Sequence, residues 1–320
     1  MPDILLVALG GTVGLRASDD ALAGAMRRAG ASVTLVRVAA AREPRTFALT
    51  DLAWAVPARR AARRALRDAR PLALVYSTTT AALLWPEPGA IRFDATAVDN
   101  RPGRHGIWQR PVERRRFAGA PLLLPCSDGA LAGAPVPHGP AVVVPIPVAP
   151  SAGGPAPRDI AALTYGANPR KKGLDRVLAA WRAARRAGET LVVAGVAGRD
   201  EEGVRYTGMV ARDAYRALLR RARVFVTAPR REDYGIAQLE ALADGCVLVT
   251  NAAPGPYAAL PLARALDARL VGDDVAGALR TALDDPAAGY AERARAAVAP
   301  WAPAVVDAVV AERMLPALLE

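Results

Sequence analysis

The chain is poor in the residues that mark several function classes. Its 320 residues include only two cysteines, two histidines and four methionines, and aromatic residues make up 5%. Cys126 and Cys246 each lie beside an apolar, strand-like run. They read as buried reduced thiols of a cytoplasmic protein, not as a disulfide or a thiolate metal centre. Two histidines with no close Cys/His/Asp cluster argue against zinc. No run of about 18 apolar residues escapes interruption by charge, so no membrane-crossing helix is expected. The amino terminus, Met1-Pro2-Asp3-Ile4-Leu5, has no basic segment ahead of its apolar run, which argues against a signal peptide. With so few aromatics, stacking platforms for nucleic-acid bases are scarce.

Apolar residues and positive charge are what the chain does have. Apolar types make up 52%, enough for substantial cores, and the net charge is +11. That balance favours anionic partners, whether nucleotides, nucleic acid or an acidic membrane surface, without choosing among them. The length suggests two domains, although one large domain also fits.

Strand-like and helix-like segments alternate. Ile4 to Leu9 is a continuous apolar run, as in a parallel strand buried on both faces. Gly10-Gly11-Thr12-Val13-Gly14 then turns the chain, and Ser18 is expected to cap the next helix, with Asp19 and Asp20 complementing its dipole. Ser32–Val38, Pro71–Ser77, Ala90–Asp94, Pro121–Ser127 and Ala141–Val148 are further strand candidates. The Pro/Gly-rich stretch from Val148 to Asp159 reads as an interdomain linker. The alternation then restarts with strands at Ala161–Tyr165, Thr190–Ala194, Val204–Thr207, Arg223–Thr227 and Cys246–Thr250. Helices are expected over Gly173–Ala187, Asp213–Arg221 and Pro303–Leu319. The pattern is that of βαβ units in an α/β protein with parallel sheets.

The most informative segment runs from Ala228 to Gly245 and carries Glu232 and Glu240. It reads strand, loop, helix, glycine stop, strand. Glu232 falls in the loop at the carboxyl end of a strand, where open α/β sheets bind ligands. Glu240 interrupts the apolar run Ile236, Leu239, Leu242 on the helix. A carboxylate there is costly unless something hydrogen-bonds to it, and ligand hydroxyls would do so. A second segment, Tyr165 to Asp175, places Arg170, Lys171 and Lys172 at the head of a helix. Cations oppose the macrodipole there, and a bound anion would supply the reason for them.

Glu232, Tyr234-Gly235, Glu240-Ala241-Leu242-Ala243 and Gly245 together resemble the donor-site motif of the retaining GT-B glycosyltransferases of family 4. The resemblance implies two Rossmann-like domains facing across a cleft, with a carboxy-terminal helix crossing back to the first. The expected domains are residues 1–150 with helix 303–320 on the acceptor side, and 158–302 on the donor side. The resemblance also implies hexosyl transfer from a nucleotide-sugar to an unknown acceptor, with retention at the anomeric carbon and without a metal or cofactor. Glu240 would bind ribose hydroxyls and Glu232 the transferred sugar. The N–H groups of Tyr234, Gly235 and Ile236 would meet phosphate or sugar, with Gly235 allowing close approach. Lys172-Gly173 matches the family's Lys-Gly, which grips the diphosphate, and Gly166 matches the glycine of its Gly-Arg pair. Ala167 stands in place of the arginine, so Arg170 or Lys171 would substitute, or turnover would be impaired. Asp94 occupies the place of the family's histidine, and His105 lies on a loop farther on. Gly11 belongs to a glycine-rich loop that misses the dinucleotide-binding spacing. In the family such a loop lines the cleft, and Gly11 is counted with the donor-contacting residues.

Arg59, Arg60, Arg63, Arg64, Arg67 and Arg70 fall on one face of a helix, with alanines and Leu66 opposite. That face is either a solvated surface or, through Arg59, Arg63 and Arg67, a dock for an anionic membrane and a lipid-linked acceptor. Two rival functions stay open: a nucleotide-sugar-binding protein with a degenerate, non-catalytic GT-B site, and a basic nucleic-acid-binding protein, the latter weakened by the scarcity of aromatics.

Overall fold

Strand β1 (Ile4–Leu9) is buried along its whole length, because successive side chains leave it on opposite faces. Ile4 and Leu6 join a cluster with Leu22 and Met26 on one side of the sheet. Leu5, Val7 and Leu9 join Trp54, Ala58 and Ala62 on the other. A strand covered by helices on both faces must be apolar at every position, and this run satisfies that demand.

The computed structural model describes residues 3–38, 47–154 and 156–320. Met1 and Pro2 of the amino-terminal segment and Pro155 of the Pro/Gly-rich stretch lie outside them. The chain forms two compact units, Met1–Pro147 with Pro303–Glu320, and Val148–Ala302.

In the first unit, β1 is joined by β2 (Val33–Val38), β3 (Ala73–Tyr76), β4 (Ala90–Phe93) and β5 (Leu123–Pro125). The order is β2-β1-β3-β4-β5, all parallel. In the second unit, β6 (Ile160–Tyr165), β7 (Leu191–Ala194), β8 (Val204–Gly208), β9 (Ala222–Val226) and β10 (Val247–Val249) form another parallel sheet. Its order is β10-β9-β6-β7-β8. The chain is thus an α/β protein with two five-stranded parallel sheets.

The carboxy-terminal helical segment runs through Pro303–Val309, a π-turn at Val310–Met314 and Leu315–Leu319. It belongs to the first unit. Val306, Val310, Met314 and Leu315 pack into the cluster of Ile4 and Leu6, and Arg28 grips Asp307 with two bonds of 2.7 Å.

Two local expectations are corrected. The first helix begins at Val13, before Ser18, and Thr12 caps it by accepting the Leu15 N–H at 3.1 Å. Ser18 and Asp19 therefore lie within the helix, both buried. Ala141–Val148 is not a strand. Ala141 makes a single bridge to Leu123, and the N–H groups of Val142 and Val144 donate to Leu123 and Pro125 at 2.9 Å. Pro140, Pro145 and Pro147 have no N–H to extend the ladder. The Pro/Gly-rich stretch does not hang free. Ser151 bonds Asp244 through its N–H (2.7 Å) and hydroxyl (2.6 Å), and Gly154 accepts from Arg220 at 3.2 Å, all within the second unit.

Candidate functional site

Each sheet has one strand from which the chain departs in both directions. β1 pairs with β2 on one side and β3 on the other, and β6 pairs with β7 and β9. At such a switch point the connections diverge and leave a crevice at the carboxyl ends of the strands. In the second unit, the loops after β6 and β9 flank that crevice.

These two loops are stitched together. The Arg230 N–H donates to Lys171 O at 2.9 Å, and its guanidinium reaches Arg170 O (2.9 Å) and both carboxyl oxygens of Asp175 (2.8 and 2.6 Å). Hydrogen bonds from Arg230, aided by its charge, hold the Asp175 carboxyl down at about 2. Gly173, with φ of 62°, lies where a Cβ would stand 1.9 Å from the Ala228 carbonyl oxygen. Glycine is therefore required both by its left-handed backbone and by the crossing of the two loops.

Lys172 Nζ donates to Glu232 Oε2 at 2.6 Å, and Gln238 Nε2 donates to the same oxygen at 3.0 Å. Lys171 pairs with Asp233 at 2.5 Å, and Arg231 bonds the other Asp233 oxygen at 2.8 Å. Burial works to raise the Asp233 carboxyl, but these two cations outweigh it and hold it below the usual carboxylate range. Glu232 is 4% exposed and Glu240 6%. Glu232 is buried, whereas the Lys172 side chain is 20% exposed, so the pair can be reached from solvent through its cation.

Glu240 follows on the helix Ile236–Ala243. Protein groups offset part of the cost of burying it. Arg212 donates to it at 2.9 Å, and Arg216 lies 3.5 Å away. Burial still prevails and raises its carboxyl above the usual range, against the pull of Arg216 and Arg212. The Tyr234 hydroxyl points inward and accepts from Trp301 Nε1 at 2.9 Å. Gly235 has φ of 89°, and a Cβ there would meet the Tyr257 ring at 2.8 Å. Its glycine thus serves packing and backbone as well as any ligand. The N–H groups that open this helix have no helical carbonyl to bond. Gly166 is buried at the end of β6, and Arg170 is exposed at the loop surface.

The other predicted residues belong to the first unit. Asp94 lines a pocket of about 270 Å³ at the carboxyl ends of β1, β3, β4 and β5. His105 is exposed in the turn Gly103–Gly106, next to a segment that Asp51 anchors by gripping Arg101 (2.8 and 2.8 Å) and Gln109 (3.0 Å). Gly11 is exposed and does not line the pocket. Of the arginines expected on one helix face, Arg59 turns inward to the Leu84 carbonyl at 3.2 Å, whereas Arg60, Arg63, Arg64 and Arg67 are exposed; Arg70, also exposed, lies beyond the helix, which ends at Asp68.

The sequence reading missed Asp233, Gln238, Arg212 and Arg216 near the two glutamates. In the first-unit pocket it missed Asp19, Ser77, Thr79 and Arg92 as site residues. Asp19 is 1% exposed, and burial pushes its carboxyl up to about 6 against the pull of Arg92. Among the described residues no Cys/His/Asp/Glu group is placed to hold a metal, and no helix is long and apolar enough to cross a membrane. Cys126 and Cys246 are buried and unpaired, and burial raises both thiols to about 11.

Residues 160–285 match the family model of group 1 glycosyl transferases. The matched region contains the whole β6–β10 sheet with Lys172, Glu232 and Glu240. Solved structures similar over nearly the full chain include a glycosyltransferase of lipopolysaccharide biosynthesis. The chain has the GT-B fold. Sucrose-phosphate synthase from Thermosynechococcus elongatus superposes with a TM-score of 0.75 at 15% identity, covering 99% of this chain and 100% of that one. Anabaena HepE, solved with UDP and glucose, gives 0.69 at 14% identity, with 99% and 100% coverage. A UDP-forming α,α-trehalose-phosphate synthase from Burkholderia xenovorans, solved with glucose 6-phosphate, gives 0.68 at 15% identity, with 98% and 99% coverage. No match was found among curated proteins. On this GT-B scaffold the β6/β9 crevice is the better-built of the two candidate sites, since two loops, two cations and two carboxylates converge there.

Proposed function

We propose that the chain is a retaining glycosyltransferase that moves a sugar from a nucleotide-sugar donor to an acceptor, with the donor bound in the β6/β9 crevice. One observation carries the reading: Lys172 and Glu232, from separate loops, meet at 2.6 Å at the switch point of the second sheet. The match to group 1 glycosyl transferases over residues 160–285 supports it, as do neighbours solved with UDP and glucose.

In this reading the donor diphosphate displaces Glu232 from Lys172. The lysine then balances the charge that grows on the departing diphosphate, and a fixed cation in a water-poor site does this well. Glu232, released from the lysine but still held by Gln238, accepts hydroxyls of the transferred sugar. Glu240 accepts the ribose hydroxyls, and the helix-opening N–H groups of Gly235 and Ile236 face phosphate or sugar. Ala167 offers no guanidinium, and Lys171 is engaged by Asp233, so exposed Arg170 is the cation left to assist at the diphosphate. Positioning and electrostatic stabilisation supply the catalysis, with no protein nucleophile and no metal assigned. The proposal extends to an acceptor at an anionic membrane surface, met by the exposed guanidiniums of Arg63 and Arg67.

The test is a thermal-shift panel of nucleoside diphosphates and their sugars, followed by donor hydrolysis. UDP or GDP species should stabilise the protein, Glu240→Ala should weaken that effect at least tenfold, and Glu232→Gln or Lys172→Met should abolish sugar release. A protein that ignores both nucleotide series refutes the donor site. One that binds them without ever releasing sugar is a binding protein, as Ala167 would allow.

A further inference from the structure

The first-unit pocket is lined by a set of buried polar groups that the protein leaves unsatisfied. Neither carboxyl oxygen of Asp19 has a hydrogen-bond partner among the described residues, and the same holds for Ser77 Oγ, Thr79 Oγ1 and Arg92 Nε. Ser77 is near enough to favour the ionised form of Asp19, yet it is not in hydrogen-bonding geometry. Buried polar atoms are nearly always paired, and each exception needs a cause. Five unsatisfied atoms on four residues that line one pocket point to a single cause.

The lining also indicates what kind of molecule would satisfy them. Asp19 offers two acceptors, and the hydroxyls of Ser77 and Thr79 both donate and accept. Arg92 is 3% exposed and already bonds Ser18 Oγ at 2.8 Å, leaving Nε as a spare donor. A phosphate would face two carboxyls, Asp19 and Asp94, against one guanidinium. A metal cation would sit beside that buried guanidinium. Leu9, Leu15, Phe93 and Ile146 supply an apolar wall. A pocket of about 270 Å³ falls just under the usual ligand-site range of roughly 300–1,000 Å³, room for a small ring rather than a long chain. The pocket also occupies the β1/β3 switch point, where this sheet order favours a ligand.

We propose that this pocket binds a neutral polyhydroxylated ring, with Asp19 accepting its hydroxyls and Ser77, Thr79 and Arg92 completing the hydrogen-bonding shell. That this ligand is the acceptor of the transferred sugar rests on the glycosyltransferase reading; the binding itself does not. Asp19 must be ionised to accept two hydroxyls. The groups that bear on its charge are Arg92 from β4, Arg37 from β2, Ser77 after β3 and Asp20 on its own helix, with Asp94 and Cys126 also lining the pocket. Affinity should therefore decline as the pH falls through about 6.

The experiment is ligand-observed NMR and calorimetry on the full chain with glucose, myo-inositol, maltose and glucose 6-phosphate. At least one neutral compound should bind, and glucose 6-phosphate should bind at least tenfold more weakly than glucose. Asp19→Asn should lower the neutral compound's affinity at least tenfold while leaving UDP affinity unchanged. Thr79→Val, tested separately, should lower it severalfold and serves as the test if the first variant misfolds. Absence of binding by all three neutral compounds, preference for the sugar phosphate, or unchanged affinity in the folded variants overturns the proposal. Polyol binding without nucleotide binding would sink the donor site and leave this pocket standing; the converse would sink the pocket alone.

Discussion

Replacing Asp19 by asparagine should stabilise the protein at neutral pH. The carboxyl moves from 3.8 to about 6 on folding, because burial outweighs the attraction of Arg92. A displacement of roughly two pH units corresponds to about 3 kcal/mol at about 1.36 kcal/mol per unit. The sign follows from the proton count. At pH 7 the group is ionised folded and unfolded, so the folded state bears the whole cost of the buried charge. As the pH falls through about 6 the folded protein takes up a proton first, and the cost is relieved in full below 3.8. Asparagine removes the charge at every pH but brings an amide N–H₂ to satisfy, so the net gain at pH 7 should be about 1–3 kcal/mol. At about 2–4 °C per kcal/mol for a unit of this size, the first unit's melting transition should rise by several degrees. Scanning calorimetry of both proteins from pH 8 to pH 4 should show a difference that is largest above pH 7 and gone near pH 4. A variant less stable than its parent at pH 7, or a gap that does not change with pH, would refute the reasoning. Asp19 would then be a structural partner of Arg92, not a charge held at a cost for a ligand.

Gly173→Ala should be among the most damaging single substitutions, because its Cβ would overlap the Ala228 carbonyl in a left-handed conformation. A loss of more than about 3 kcal/mol in urea unfolding, or loss of nucleotide stabilisation in a folded variant, is expected. Unaltered stability and binding would show that the two loops need not cross so closely. Arg212→Ala takes away the 2.9 Å partner of Glu240, whose other arginine stays at 3.5 Å. The Arg212 side chain is 56% exposed, so the stability cost should be under about 1 kcal/mol. Nucleotide affinity should change by several-fold, and equal affinity would separate Glu240 from the ligand. Binding to anionic lipid vesicles should be lost in Arg63→Glu with Arg67→Glu and weakened by salt, whereas equal binding to neutral vesicles would dismiss the membrane surface.

What the sequence discloses and what it hides divide along chain distance. The Lys172–Glu232 meeting was legible because each residue ends a strand–loop unit whose strand is plain in the local pattern. Parallel strands of one sheet present their following loops at the same edge. The reasons for Gly235 and for the tolerance of Glu240 were not legible, since Tyr257, Arg212 and Arg216 come from other elements. Asp19 shows the limit most clearly. An acidic residue after a serine near a predicted helix start looks like capping chemistry, and only the earlier cap at Thr12 moves it into the buried part of the helix. Its surroundings then come from β2, β4 and the turn after β3, none of them adjacent in sequence. Sheet order unites the two cases. Each candidate site lies at the strand where its sheet reverses direction, β6 beside β9 and β1 beside β3. That order is set by packing among distant segments, so a motif could locate the first site, whereas the second emerges only from unsatisfied atoms in the folded chain.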